Sequence, residues 1–351
     1  MPQHPREHSE IELCRIWSAI LGEQVADIDL NFFLDLGGTS QAAVRLLVDV
    51  QVAFGVDLKL ASLLSAPTVR QLSEIVADQH TQGSSSPIVR IQDGNGECPL
   101  YLFHPLPGTL VRYFPLVAEL GADATIFGLQ SFGIEKGTRP LNEICDMADA
   151  YLAHMLSQHN GGPWRLIGYS MGGYLAVEVA RRLLSAREDV RIVCAVGSEL
   201  SNAEIAVDEG QLRTITVQRL ALIMLNVDIS SDILCSLSFE QQIQEVIRRG
   251  IANGSLTSNS HVDRFLRFLD VRIRNFIASE RYRASAVYEG NLTLVRAADS
   301  PVFGDDGCDG WGSAARTIDV YETPGDHFSM MDKPHVACLA NTLRDLLART
   351  G

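Results

Sequence analysis

Apolar residues Ile11, Leu13, Cys14, Ile16, Trp17, Ile20 and Leu21 recur at helical spacing and stop at Gly22, which predicts a first helix. A second helix is predicted over 40–54, with Ala43, Val44, Leu46, Leu47 and Val50 on one face and Gly55 behind it. A third begins after Pro67, where Thr68 and Gln71 have the spacing of a capping box. No strand pattern interrupts these segments, so they form a small all-α bundle. The stretch 80–87 then loses apolar periodicity and is built of linker residues. Beyond it the pattern changes. Short apolar runs lie at 88–91, 100–103, 125–129, 164–167, 190–196, 292–295 and 317–321, and helical patterns at 110–120, 141–157, 171–185 and 336–348 fall between them. Strands alternating with helices predict a mostly parallel sheet covered on both faces. The alternation breaks over 201–284, a helical stretch that reads as an insertion above the sheet. The expected domains are therefore 1–80, a linker 81–87, and an α/β domain 88–351 carrying the insertion.

Composition narrows the functional classes. The chain has 351 residues, a net charge of −14 and 46% hydrophobic residues, ample for a real core, which excludes wholesale disorder. The negative balance, with no basic run, argues against nucleic acid and anionic membrane as partners. No stretch approaches 18 uninterrupted apolar residues, and Met1 to Glu10 lacks an apolar signal core. The 7 cysteines are scattered and never paired as CxxC, so neither a disulfide framework nor a metal site is expected, and a cytoplasmic location is. Cys308, in a Gly/Asp-rich loop, reads as an idle exposed thiol, with a reactive thiol as the alternative.

Candidate chemistry gathers in the second domain. Gly168-Tyr169-Ser170-Met171-Gly172 has the G-x-S-x-G form, with a strand before it and a helix after it. Strand, tight turn and helix make the context of a nucleophile elbow, so Ser170 is the candidate nucleophile. A serine hydroxyl needs a base. His327 follows the last predicted strand and is the candidate; His104, after an early strand, is a weaker one. The orienting acid stays open between Glu199, after the 190–196 strand, and Asp299, after the next. Asp326 adjoins His327 but is expected to point into solvent. Two backbone N–H groups must face the developing oxyanion. Met171 supplies one, and Leu106 is the choice for the other, because Pro105 and Pro107 have no N–H.

Ser40 opens the second predicted helix, behind Gly37 and Gly38. The ordinary reading of such a serine is an N-cap. The paired glycines, anchored by Phe32, Phe33 and Leu34, suggest instead that something approaches the backbone closely and leave a modified serine open. Here the run from Phe33 to Ser40 resembles the phosphopantetheine attachment motif of peptidyl carrier domains of nonribosomal peptide synthetases. Phe103-His104-Pro105, Gly168 to Gly173 and Gly325-Asp326-His327-Phe328 resemble type I thioesterase domains of the same synthetases, which are α/β-hydrolases with a helical lid. The resemblance covers about 8–80 and 88–349. It departs in two places: the family usually has an aspartate after the strand where this chain has Glu199, and its early loop is often Gly-Gly where this chain has Pro107-Gly108.

The resemblance implies that Ser40 carries 4′-phosphopantetheine, attached by a phosphopantetheinyl transferase, and that an acyl or peptidyl group passes from its thioester to Ser170. Hydrolysis or cyclisation then releases it. It implies upstream synthetase modules as partners, and the start just before a carrier helix suggests a C-terminal piece of a larger chain. A monomer is the simplest expectation. Three rivals stand beside it: a proofreading thioesterase, a carrier-docking module with an inactive hydrolase, and a general esterase with an unrelated helical domain, which leaves the Gly37-Gly38-Thr39-Ser40 loop unexplained.

Overall fold

The structure is a computed structural model, which describes residues 8–54, 56, 58, 60–77, 86–94, 98–121, 125–159, 161–201, 208–301 and 307–349. Residues 81–85 of the expected linker lie outside these.

The N-terminal segment forms helices α1 (His8–Leu21), α2 (Ser40–Phe54), α3 (Leu60–Ser65) and α4 (Val69–Ala77). Leu13, Trp17, Ile28, Phe32, Leu46, Leu63 and Leu72 are fully buried among them, with Trp17 edge-on to Phe32 at 4.9 Å. Burial of such side chains contributes about 1.5–3 kcal/mol each and holds the bundle together. Gly22 ends α1 with φ +75, and Thr68 Oγ1 accepts from the Gln71 N–H ahead of α4. Helix α3 has 6 residues, too few to show a helical period in the sequence. A bridge between Asn31 and Thr68 is the only strand-like pairing among the described residues of this segment.

The second segment builds a seven-stranded sheet of order β1-β3-β2-β4-β5-β6-β7. Its strands are β1 (Ile88–Gln92), β2 (Leu100–Phe103), β3 (Ile126–Leu129), β4 (Trp164–Tyr169), β5 (Val190–Val196), β6 (Tyr288–Ala297) and β7 (Ala315–Thr323). Only β1 is antiparallel, to β3. The helices are α5 (Phe114–Leu120), α6 (Ile144–Gln158), α7 (Met171–Ser185) and α12 (Val336–Arg349). Side chains from α6 and α7 pack with Tyr101, Phe103, Leu166, Val193, Ala195, Leu292 and Leu294 into one buried cluster. The alternating strand residues Leu100, Leu102, Ile167 and Val295 are also buried, outside that cluster, so both faces of the sheet are covered.

The insertion is four helices, α8 (Glu209–Leu225), α9 (Ser231–Cys235), α10 (Phe239–Ala252) and α11 (Asn259–Arg281). The sequence reading assigned them to the sheet's domain. The structure groups α8 to α10, and α11 as far as Ile273, with the N-terminal helices as one compact unit; the sheet, its flanking helices and Arg274 onward form the other. Helix α8 packs on α2, and Arg264 of α11 donates to the Leu58 carbonyl, while among the described residues of this stretch the sheet's apolar cluster includes Ala278 and the following Tyr282 and Ala284.

Candidate active site

The register of the parallel strands brings their C-terminal ends to one edge: Phe103 pairs with Gly168, Tyr169 with Val196, Val196 with Val295, and Ala297 with Thr323. The turns after β2, β4, β5, β6 and β7 therefore open together, as catalytic turns do in open α/β sheets.

Ser170 sits between β4 and α7 with φ 57 and ψ −127, a conformation that costs about 1–3 kcal/mol for a residue with a Cβ. The surroundings enforce it. A Cβ on Gly168 would lie 1.9 Å from the Gly172 carbonyl oxygen, and one on Gly172 would lie 2.3 Å from the Phe103 carbonyl oxygen. Only glycine lets the turn close and lets the start of α7 press against the end of β2. The Tyr113 hydroxyl, fully buried, donates to the Phe103 carbonyl at 2.6 Å and accepts from the Tyr169 N–H at 2.7 Å. Met171 is the first residue of α7, so its N–H lacks an intrahelical acceptor. The Leu106 carbonyl accepts from Asn275 Nδ2 at 3.1 Å, which pins the loop after β2.

His327 follows β7 and is half-buried. Its main chain is held on both sides: its N–H donates to Ser300 Oγ at 2.9 Å, and its carbonyl accepts from the Tyr169 hydroxyl at 2.6 Å. The Tyr169 ring stacks on the imidazole at 5.3 Å. Burial, and next the positive charge of Arg112, push the His327 pKa below its ordinary value, with Asp326 opposing them. Arg112 also ties the loop down by donating to the Phe328 carbonyl and to Asp332. Asp326 is exposed, and its Oδ1 accepts from the N–H groups of Phe328 and Ser329, so its carboxylate is engaged in its own turn.

Ser170, His327, Glu199, Tyr174, Gly197, Ser201, Ser279, Glu280 and Arg283 line one cleft of about 270 Å³. Burial and the nearby Asp309 push the Glu199 carboxyl up from its usual range. The Tyr174 hydroxyl donates to the Glu199 carbonyl, and its ring stacks on Tyr282 at 4.8 Å. His327 Nδ1 lies 3.4 Å from where a Cβ on Gly197 would be, so this ring nitrogen faces the turn after β5. Asp299 is exposed, does not line the cleft, and braces the histidine loop with its main chain, donating its N–H to the Gly325 carbonyl at 3.0 Å. Among the described residues no carboxylate is hydrogen-bonded to the His327 ring.

His104, the weaker base candidate, is wholly buried. Its Nδ1 lies 2.9 Å from the Pro105 carbonyl, which can only accept, and its Nε2 lies 2.7 Å from the Tyr151 hydroxyl. Burial drives its pKa down to about 4, so it is a neutral packing residue. Tyr113, Tyr169, Tyr174 and Arg112 escaped the sequence reading. Their partners stand far apart in the chain and no motif marks them. Cys308 is half-buried against the apolar cluster, not fully exposed as expected.

In the N-terminal unit, Thr39 Oγ1 accepts from the Ala42 N–H at 3.1 Å. Thr39 is thus the N-cap of α2 and Ser40 the first helical residue, so the capping role does not fall to Ser40. The close approach at Gly38 is made by the chain itself: a Cβ there would lie 2.3 Å from the Phe32 ring.

Comparison with known proteins agrees with both halves. Residues 12–76 match the phosphopantetheine attachment site family, and residues 98–347 match the thioesterase domain family. The chain is 32% identical over 189 residues to a dimodular nonribosomal peptide synthase of Bacillus subtilis (strain 168), covering 54% of this chain and 8% of that protein. It is 32% identical over 203 residues to an indigoidine synthase of Streptomyces lavendulae, covering 57% and 16%. The holo structure of AB3403, a four-domain nonribosomal peptide synthetase bound to AMP and glycine, superposes with a TM-score of 0.67 at 29% identity, over 99% of this chain and 26% of that one. The NocB thioesterase domain, in covalent complex with a fluorophosphonate nocardicin G analogue, shares the fold with a TM-score of 0.53 at 22% identity, over 72% of this chain and 96% of that domain. With Ser170 on its strained turn after β4 and a matched carrier segment ahead of the sheet, the chain belongs to the thioesterase domain family, preceded by a phosphopantetheine attachment domain.

Proposed function

We propose that the chain releases an acyl or peptidyl group from its carrier domain by moving it to Ser170 and then to water or to a nucleophile within the acyl chain. One observation carries this reading: Ser170, on its strained turn, shares a cleft with His327 and Glu199, in a chain whose preceding domain is a carrier. Ser40, the first residue of α2 in the matched attachment-site segment, is the residue that would hold the 4′-phosphopantetheine that such domains bear. When bound, that group supplies a thiol that presents the acyl chain as a thioester.

The rest is the work of this chain's residues. Ser170 Oγ attacks the acyl carbonyl as its proton passes to His327. Nδ1 of His327 faces the Gly197 turn, so Nε2 is the nitrogen that takes this proton. The lowered pKa of His327 keeps the ring neutral and ready to accept it. The N–H groups of Met171 and Leu106 hold the oxyanion. The imidazolium returns the proton to the leaving thiol, and a second cycle through His327 frees the acyl group from Ser170. Glu199 is favoured over Asp299 as the orienting acid, since it lines the cleft and stands on the turn that Nδ1 faces. The expected partners are a phosphopantetheinyl transferase and the upstream modules of a synthetase. No helix among the described residues is long and apolar enough to cross a membrane.

Loading the carrier with a model acyl group and following intact mass tests the scheme. Acyl mass on Ser170 that decays with product supports it. Turnover by Ser170→Ala at the parent rate refutes it, and failure of a serine-directed phosphonate to label Ser170 favours the inactive docking module. Faster clearance of short acetyl-type loads than of long acyl groups favours proofreading.

A further inference from the structure

The turn after β5 carries Glu199, and its main chain is gripped at successive residues. The Gly197 N–H donates to the Val295 carbonyl at 2.8 Å, and the Leu200 N–H to the Asp309 carbonyl at 2.8 Å. Between them two aromatic side chains take the carbonyls. The indole Nε1–H of Trp311 donates to the Ser198 carbonyl at 2.8 Å, and both residues are wholly buried. The Tyr174 hydroxyl donates to the Glu199 carbonyl. The two donor rings also meet, 5.9 Å apart. Each has its own support. Tyr174 stands in the first turn of α7, directly behind the nucleophile, and stacks on Tyr282. Trp311 opens a 3₁₀ turn, Trp311–Ser313, and the loop ahead of it is tied to β6 by a largely buried ion pair, 3.2 Å from Arg296 Nε to Asp309 Oδ2. Gly310 has φ +82, and a Cβ there would lie 1.9 Å from the Leu200 carbonyl oxygen, so this loop presses on the turn. Neither aromatic bond engages the Glu199 carboxylate. Both fix the main chain from which that side chain reaches the cleft.

We propose that Trp311 and Tyr174 are positioning residues for acyl transfer, which hold the turn after β5 by its carbonyls and so aim Glu199 at the base. The proposal rests on the reading of Glu199 as the orienting acid. It adds what keeps that acid in place. A glutamate reaches its partner through three side-chain torsions, so a loose backbone would spread its carboxylate over many positions. The grip removes that source of spread. Trp311 does this from 113 residues away in the chain and from a buried position, without touching the reacting groups.

The test uses the whole chain and a soluble thioester of a model acyl group, so that kcat and KM are read separately. Glu199→Gln comes first. An unchanged kcat there removes Glu199 as the acid, and the positioning roles with it. With kcat lowered in Glu199→Gln, Trp311→Phe, which keeps a ring and loses the N–H, should lower kcat by roughly 10- to 100-fold, the scale of a misplacement of up to about 1 Å. Its KM should stay within about 2-fold, because the loss falls on the transition state and Trp311 is wholly buried. Tyr174→Phe should lower kcat to a similar degree, a readout that stands even if Trp311→Phe fails to fold. In a Glu199→Gln background either substitution should lower kcat by less than about 2-fold further, since its effect runs through the residue already lost. A folded variant that keeps the parent kcat overturns the role of its residue and leaves the acid reading intact, whatever the change in its urea midpoint. A loss that persists in full in the Glu199→Gln background also overturns the proposal, because it does not pass through Glu199.

Discussion

Tyr113→Phe isolates one hydroxyl that ties two strand ends to the nucleophile turn. The oxygen is buried, donates to the Phe103 carbonyl and accepts from the Tyr169 N–H. Phenylalanine keeps the ring and removes both bonds. The Phe103 carbonyl is crowded by α7, whose Gly172 leaves no room even for a methyl group, so water does not readily replace the hydroxyl. A buried N–H left without an acceptor costs about 1–3 kcal/mol, and the lost bond at the carbonyl adds about 1 kcal/mol. The sum, about 2–4 kcal/mol, corresponds to roughly a 30- to 900-fold change in an equilibrium constant. Amide hydrogen exchange reads it at the site: protection of the Tyr169 N–H should fall by that factor, more than at Leu166 or Ile167 on the same strand. The turn that aims Ser170 should loosen with it, lowering kcat for acyl transfer. Unchanged protection at Tyr169, with a stability loss below about 0.5 kcal/mol, would refute the argument.

Other substitutions probe the remaining supports. Gly172→Ala drives a methyl group into the Phe103 carbonyl and should cost about 3 kcal/mol, seen as a lower urea midpoint. Glu178 is wholly buried and accepts from Arg181, Arg182 and the Tyr282 hydroxyl, so Tyr282→Phe should cost about 1.5–3 kcal/mol in the same assay. Glu178→Leu should cost less than a buried charge pair usually does, since Arg181 and Arg182 are partly exposed and hold other acceptors. Arg112→Gln removes a positive charge that disfavours the imidazolium of His327, so the His327 pKa should rise. The base works when neutral, so the acid limb of the kcat/KM–pH profile should move to higher pH, and Arg112→Lys should restore it. A limb that stays put in Arg112→Gln would show that the charge does not reach the ring.

Much of the fold was legible because its boundaries are marked by strong local signals. Helices α2 and α7 and strands β2 and β5 begin and end where the apolar pattern does, with Gly, Pro or polar residues at their edges. The apolar pattern marks β7 short because the strand is largely exposed and its outer residues are polar, and β6 short because Glu289, Gly290 and Asn291 follow its first residue, Tyr288. The first turn of the predicted 110–120 helix is a 3₁₀ turn over Val111–Tyr113, which apolar spacing does not distinguish. The grouping of α8–α11 with the carrier helices was hidden, since amphipathic helices announce that they pack but not on what. In the site, Ser170 and His327 stood out through motif and chain order. The acid did not, because two strand ends carry carboxylates, and it takes the cleft lining and the turn that His327 Nδ1 faces to favour Glu199 over Asp299. The tyrosine hydroxyls were out of reach of any spacing argument: Tyr113 and Tyr169 are 56 residues apart, and Tyr169 and His327 are 158 apart.

The main-chain grip on residue 327 separates where the proposed base stands from what that base is. Ser300 and Tyr169 hold its N–H and its carbonyl, not its ring, so the backbone there does not depend on the imidazole for support. Removing the ring in His327→Ala should leave the loop in place with a vacancy against the Tyr169 face. Free imidazole diffusing into that vacancy would meet the same stacking surface and the same turn after β5, and should return part of the lost acyl transfer in a saturable way. The proposed site would then work as a socket that accepts its base as a separate part.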